Sequence, residues 1–251
     1  MNYQKETERI VSFIRIYLAQ AGLKDLVIGL SGGIDSSLSA ALALMAVGPE
    51  HLHAVNLPHR LSNSESAADA ALLASHLGIS LQTIDISLPT DTYFENFAPD
   101  ADRMRRGNWM ARIRMNVLYD LSAKYKALVV GTSNRTELFV GYCTQYGDSA
   151  CAFEPIGHLY KTEVWSMARA LELPEKIITK IPTADLWEGQ SDEAELGISY
   201  PLLDSILSFL TEPGCHERPE VDTKLIAKVE KMIARSEFKR LMPPVPERDK
   251  C

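Results

Sequence analysis

Four short apolar runs, LVIGL (26–30), HLHAVNL (51–57), ISLQTIDI (79–86) and ALVVGT (127–132), alternate with stretches of helical periodicity at 36–47, 64–77 and 108–124. That alternation leaves few folds. Strand, helix and next strand in sequence order require right-handed crossovers, and so a parallel sheet covered on both faces: an α/β fold. Residues 4–21 precede the first run as an amphipathic helix with Ile10, Phe13, Ile14, Tyr17 and Leu18 on one face. Ser62 and Glu65 have capping-box spacing at the start of the 64–77 helix. After Glu137 the strand pattern stops. Residues 141–160 carry no clear period, helices are expected at 161–171, 200–211 and 222–235, and the end, MPPVPERDKC, is a Pro-rich tail. The expectation is one domain over residues 1–251 with a helical C-terminal part.

In such sheets ligands bind beyond the carboxyl ends of the strands. The segment LSGG follows the first run and TSNRTE follows the fourth, so both fall on one rim. A strand entering Ser31-Gly32-Gly33, with a helix opening near Asp35, has the makings of an anion site. Glycines let backbone amides approach a ligand, and the helix start adds unpaired N–H groups and a positive dipole end. Ser31, Ser36 and Ser37 are candidate hydroxyl donors. The loop lacks the lysine of G-x-x-x-x-G-K-[ST], and Asp35 instead suits a Mg²⁺ that would screen the phosphates.

Composition removes several classes. A net charge of −7 argues against a nucleic-acid partner, which usually requires a basic footprint. No apolar run approaches the roughly 18 residues of a membrane span, and the N-terminus lacks a secretory h-region. Cys143, Cys151, Cys215 and Cys251 form no C-x-x-C pair, so reduced thiols in a cytoplasmic protein are expected. His51, His53, His59, His76, His158 and His216 lack a metal-ligand spacing.

The S-G-G-x-D-S loop resembles that of the ATP pyrophosphatases, which cleave ATP between its α and β phosphates. GNWMARIRM (107–115), VVGTSNRTELFVGYCTQYGD (129–148), PIGHLYKTEV (155–164) and IPTADLWEGQSDEAELGISY (181–200) narrow the likeness. In order and spacing they resemble the NAD synthetases over almost the whole chain. The resemblance implies a Rossmann-like doubly wound sheet of the adenine nucleotide alpha hydrolase-like type. It also implies ammonia-dependent amidation of deamido-NAD to NAD⁺ through an adenylated carboxylate, with AMP and pyrophosphate released.

By the same resemblance, ATP and its pyrophosphate would meet Gly29, Leu30, Ser31, Gly32, Gly33, Ile34, Asp35, Ser36, Thr132, Lys161 and Thr183. Asp35 and Glu137 would hold Mg²⁺, and Lys161 would reach the phosphates. Asp148 would be an acidic residue of the site and a candidate acceptor of ammonium's proton. Arg112, Gln145, Ala152, Phe238 and Lys239 would lie on the deamido-NAD side. Typical members carry a lysine, an aspartate and a histidine where Gln145, Ala152 and Phe238 stand, so the sequence departs from the pattern on that side only. The segment GDSACAFEPIG resembles a subgroup with a similar Ala-Cys-Ala run. A homodimer is implied, with the N-terminal and 108–124 helices as candidate partner surfaces. Only 25 residues precede the first strand, so no glutaminase domain is expected and ammonia is the expected nitrogen source. Nicotinate mononucleotide as substrate, or an ATP-binding module without catalysis, are the competing readings. A tRNA-thiolating enzyme would want paired cysteines and a basic face.

Overall fold

The computed structural model describes residues 1–187, 189–212, 214 and 217–246. Cys215, His216 and Cys251 lie outside the described residues. The chain runs α1 (Tyr3–Ala21), β1 (Asp25–Gly29), α2 (Ile34–Val47), β2 (Leu52–Asn56), α3 (Ser64–Leu77), β3 (Leu81–Thr83), α4 (Ser87–Phe97), α5 (Arg103–Tyr125) and β4 (Ala127–Val129). It continues with α6 (Arg135–Val140), α7 (Lys161–Ala170), α8 (Glu175–Ile178), α9 (Asp192–Leu196), α10 (Tyr200–Thr211) and α11 (Thr223–Arg240).

The strands form a parallel sheet in the order β3-β2-β1-β4. Its alternating residues feed two cores: Leu26 and Ile28 pack with α1, α2 and α7, whereas Val27, Val55 and Ala127 pack with α5. Burial on both faces is the reason β1, β2 and β4 read as unbroken apolar runs; β3, at the sheet edge, is half-buried at Leu81 and exposed at Gln82 and Thr83. A third core joins α6, α9, α10 and α11 around Tyr200, Leu203, Ile206 and Val229. From β1 the chain moves outward through β2 to β3, then crosses to β4 on the other side. The order therefore reverses between β1 and β4, and a crevice opens there beyond the strand ends.

Several sequence expectations shift in the structure. The 64–77 helix is capped by Asn63, whose Oδ1 accepts from Glu65 N (2.9 Å); the Ser62 hydroxyl instead accepts from His59 N (3.3 Å) and closes the preceding turn. On α1, Thr7 and Val11 take buried places, while Phe13 and Tyr17 stay exposed and bring their rings against Phe153. α5 starts at Arg103, capped by Asp102 Oδ1 accepting from Arg105 N (2.8 Å), ahead of the apolar pattern that marks it. α4 was not visible as a period; Pro89 sits in its first turn, where a missing N–H costs nothing.

The strand pattern also does not end wholly at Glu137. Val130 bridges to Phe153, Ala152 N donates to Val129 O (2.9 Å) and Gly131 N donates to Phe153 O (2.9 Å). A short extended piece thereby covers the β4 edge, which would otherwise present unpaired backbone.

α11 is fastened to the end of α6. Ser236 Oγ donates to Phe139 O (2.8 Å), Arg240 Nη1 to Leu138 O (3.0 Å) and Phe139 O (2.8 Å), and Lys239 Nζ to Gly141 O (2.7 Å) and Cys143 O (2.7 Å). These donors satisfy carbonyls that a helix C-terminus leaves open. The approach requires glycine at 141: its φ is +70°, and a Cβ there would lie 2.2 Å from Ser236 Cβ. Gly141→Ala should therefore lower stability by about 2–4 kcal/mol, combining left-handed strain with overpacking. Gly22→Ala, with φ +66° but open space around it, should cost about 1–2 kcal/mol from strain alone. Urea unfolding checks the pair; equal losses would mean that helix approach is not what Gly141 serves.

Candidate active site

The glycine-serine loop is anchored before it turns. Leu30 N donates to Val55 O (2.8 Å), and Asn56 Nδ2 donates to Leu30 O (2.7 Å). Gly32 has φ +78°, and a Cβ on it would lie 2.2 Å from Ser66 O, so α3 backs the loop directly. The hydroxyls of Ser36 and Ser37 donate to Gly33 O (3.0 and 2.7 Å), and Gly33 N donates to Ser31 Oγ (3.2 Å). Ser37, fully buried, braces the turn and is not a free donor as the sequence suggested. No side chain caps α2 at Gly33. Its first-turn amides and dipole end remain available to an anion.

Asp35 and Glu137 meet across Lys161. Asp35 stands in the first turn of α2, Glu137 in that of α6, and Lys161 opens α7. Lys161 Nζ lies 2.5 Å from Asp35 Oδ2 and 3.1 Å from Glu137 Oε1, and the lysine is 1% exposed. Asn134, fully buried, fixes the arrangement: its Oδ1 accepts from Glu137 N (3.0 Å) and its Nδ2 donates to Asp35 Oδ1 (2.8 Å). Thr136 Oγ1 accepts from Lys161 N (3.0 Å), tying the starts of α6 and α7 together.

Behind this cluster Asp192 accepts from the hydroxyls of Tyr142 (3.0 Å) and Tyr200 (3.1 Å) and from Ala184 N (3.1 Å). Burial pushes Glu137 up to about 8, although Lys161 pulls the other way. Burial would lower Lys161, but Asp35 and Glu137 more than compensate and hold it above its usual value. With Glu137 held toward its protonated form, Asp35 and Lys161 balance each other, and a second cation at the pair would displace that proton. Hard carboxylate oxygens already seated around a cation fit Mg²⁺, and Asp35 and Glu137 are the residues that would hold it.

The cluster lies on the wall of a cavity of about 560 Å³ at the β1/β4 crevice. Gly29, Leu30, Ser31, Gly33, Ile34, Ser36, Thr132 and Thr183 line the same space, as do Asp148 and Lys239. Gly32 stays behind the loop, pressed on Ser66. Asp148 faces the cavity with its Oδ1 accepting from Thr144 N (2.8 Å), and the enclosure raises its pKa.

The remaining residues assigned to the dinucleotide side are not part of the cavity wall. Arg112 is exposed and donates to Gln145 O (3.2 Å); Ala152 packs at the β4 edge; Phe238 is 58% exposed on α11. Lys239 spends its ammonium on Gly141 O and Cys143 O, a structural duty beside its place in the wall.

Arg114 is not among the residues assigned to the site from sequence. It is half-buried, lines the cavity, and its Nε donates to Leu57 O (3.0 Å). Burial lowers its pKa, opposed by Asp185 and Asp148. The signal was present in the spacing: Arg114 follows buried Met110 by four and buried Ala111 by three, on the inward face of α5. Glu154 was also overlooked. Its Oε2 accepts from Ser133 N (2.9 Å) and supports the loop after β4, and burial pushes its carboxyl up to about 7.

The comparisons bear on this site. The model of the NAD synthase family matches residues 6–243. An NH(3)-dependent NAD(+) synthetase of Chlorobium phaeobacteroides (strain BS1) is 43% identical over 249 residues, covering 98% of this chain and 90% of the relative. Among solved structures, the NMN synthetase of Francisella tularensis superposes with a TM-score of 0.89 at 30% identity, covering 99% of this chain and 100% of that one. The NH3-dependent NAD synthetase of Campylobacter jejuni superposes with a TM-score of 0.85 at 36% identity, covering 98% and 100%. With its sheet, its loop and its motifs all falling inside that match, the chain belongs to the NAD synthase family.

Proposed function

We propose that the protein is a ligase that forms NAD⁺ from deamido-NAD, ATP and ammonia. The observation that carries this reading is the meeting of Asp35 and Glu137 at an uncapped helix start, on the wall of one cavity. The family match and the relatives named for ammonia-dependent synthesis support it. The nicotinate carboxylate attacks the α-phosphorus of ATP, the bond to the β-phosphate oxygen breaks, and pyrophosphate leaves. Ammonia then adds to the acyl-adenylate carbonyl, loses a proton, and AMP departs.

In this reading the Ser31–Gly33 backbone and the start of α2 bind the pyrophosphate end, and Thr132 and Thr183 help to place ATP. Mg²⁺, when bound by Asp35 and Glu137, neutralises phosphate charge. Lys161 orients both carboxylates. Asp148, on the cavity wall with its carboxyl raised by desolvation, accepts the proton that ammonium must shed. Arg112 and Gln145, joined outside the cavity, and Phe238 and Ala152 form the side toward the dinucleotide's far half. Positioning and electrostatics supply the acceleration; no protein nucleophile is needed.

Nicotinate mononucleotide is the second reading. It is favoured by the fit to the Francisella NMN synthetase and by the absence of Arg112, Gln145, Ala152 and Phe238 from the cavity wall. Steady-state kinetics with each acid, with ammonium and with glutamine, decide between them. We expect deamido-NAD to have the higher kcat/KM and ammonium to be required. A higher value for the mononucleotide overturns the first reading, and ATP turnover without either acid overturns both.

Asp35→Asn and Glu137→Gln should each lower AMP formation by about a hundredfold or more, the scale of losing one electrostatic partner of a transition state. The loss should be greatest at low magnesium. A Glu137→Gln enzyme within threefold of wild type at limiting magnesium would remove the carboxylate pair from the mechanism.

The reading includes a homodimer, supported by exposed Phe13, Ile16 and Tyr17 on α1, and a cytoplasmic location, supported by the free thiols of Cys143 and Cys151. Among the described residues no helix is long and apolar enough to cross a membrane. Sedimentation at micromolar concentration should show a species of twice 27.9 kDa. A 28 kDa species alone would exclude the dimer.

A further inference from the structure

The glycine-serine loop brings no side-chain cation of its own, and the Lys161 ammonium is already engaged by Asp35 and Glu137. A pyrophosphate released at the loop carries several negative charges, and backbone amides alone would have to balance them. A second lysine stands at this end of the cavity. Lys180 lines the same space as Ser31 and Gly33, with its side chain 18% exposed. Its Nζ lies 2.7 Å from Asp69 Oδ2 and 3.2 Å from Ser66 Oγ.

Ser66 and Asp69 are the residues that back the loop. A Cβ on Gly32 would lie 2.2 Å from Ser66 O and 3.0 Å from Asp69 Cβ. The Lys180 ammonium is therefore seated on the residues in contact with the middle of the anion loop. Asp69 is 1% exposed and holds a second ammonium, that of Lys176, 2.6 Å from Oδ1. Here two ammonium groups share one carboxylate, leaving a net positive charge. If Lys180 turns toward a phosphate, the Lys176 ammonium, 2.6 Å from Asp69 on a side chain 58% exposed, stays beside that carboxylate and lowers the cost of leaving it buried.

We propose that Lys180 is the cation that binds the departing pyrophosphate at the glycine-serine loop, with Asp69 as its resting seat and Lys176 as the counterion that lets it leave. The proposal rests on the ATP-cleaving reading above. A purely structural role, tying the segment after α8 to α3, is the alternative.

The test is pyrophosphate product inhibition in the full-length enzyme, with binding of magnesium pyrophosphate by calorimetry as a readout independent of turnover. Lys180→Met should raise the inhibition constant about tenfold or more and raise the KM for ATP, with the KM for deamido-NAD within twofold. Lys180→Arg should recover most of the loss. Lys176→Met, which leaves Lys180 in the cavity, should have the smaller effect on pyrophosphate. Folded Lys180→Met with pyrophosphate inhibition and binding within twofold of wild type would overturn the proposal. Should that variant not fold, Lys180→Gln, which keeps a donor toward Asp69, is measured by the same criterion. Wild-type protein that binds pyrophosphate but makes no AMP with either acid would sink the synthase reading and leave the lysine to be judged by calorimetry.

Discussion

Lys161 is a buried ammonium with two carboxylate partners, and much of the rim is arranged around that fact. Removing either partner would leave charge in a nearly solvent-free place, an arrangement that costs several kcal/mol in proteins generally. The three residues come from the starts of α2, α6 and α7, so their pairing holds together pieces of chain more than a hundred residues apart. Asn134 binds the Asp35 carboxylate and Glu137 N, and Thr136 binds Lys161 N, which converts an ion cluster into a fixed angle between helices. Tyr200 extends the network inward: its hydroxyl reaches Asp192 (3.1 Å) and Glu137 (3.4 Å) from the middle of the third core.

The sheet decides why these starts converge. A parallel sheet sends every helix off from the same rim, and the reversal of strand order between β1 and β4 separates the two first turns enough to leave a crevice. The loop after β1 and the loop after β4 then face each other across it. α5 and α3 wall the crevice from the sides, with Arg114 and Ser66 as their contributions. Helix dipole ends point at the cavity from α2, α6 and α7, which favours anions there before any side chain is counted.

Much of this was legible in the sequence. The alternation of apolar runs with helical periods sufficed for the parallel sheet, because burial on both faces leaves an unbroken apolar signal. LSGG and TSNRTE could be placed on one rim for the same reason. Other features were not legible, for physical reasons. The burial of Lys161 depends on carboxylates 126 and 24 residues away, which no local pattern shows. Arg114 gave no signal of its own because a charge on a helix is usually outside, and the inward face is evident only from Met110 and Ala111. Phe13 and Tyr17 fitted a core face by period, but where α1 packs on α2 and α7 the buried places go to Thr7 and Val11 instead. Periodicity locates a face to within a residue and does not choose between neighbours at its edge.

The cavity is electrically uneven along its length, and the unevenness bears on the lysine absent from the loop. At one place two carboxylates hold one ammonium; at another two ammonium groups hold one carboxylate. A lysine within the loop would sit close to Asp35 and compete with Lys161 for it. Placing Lys180 just past the end of α8 and fixing it through Asp69 keeps the two clusters apart. The anion loop lies between them, supplying neutral N–H donors. In the proposed reaction an ATP chain laid across such a gradient would have one favourable direction, so the separation of the charges would orient the substrate as well as hold it.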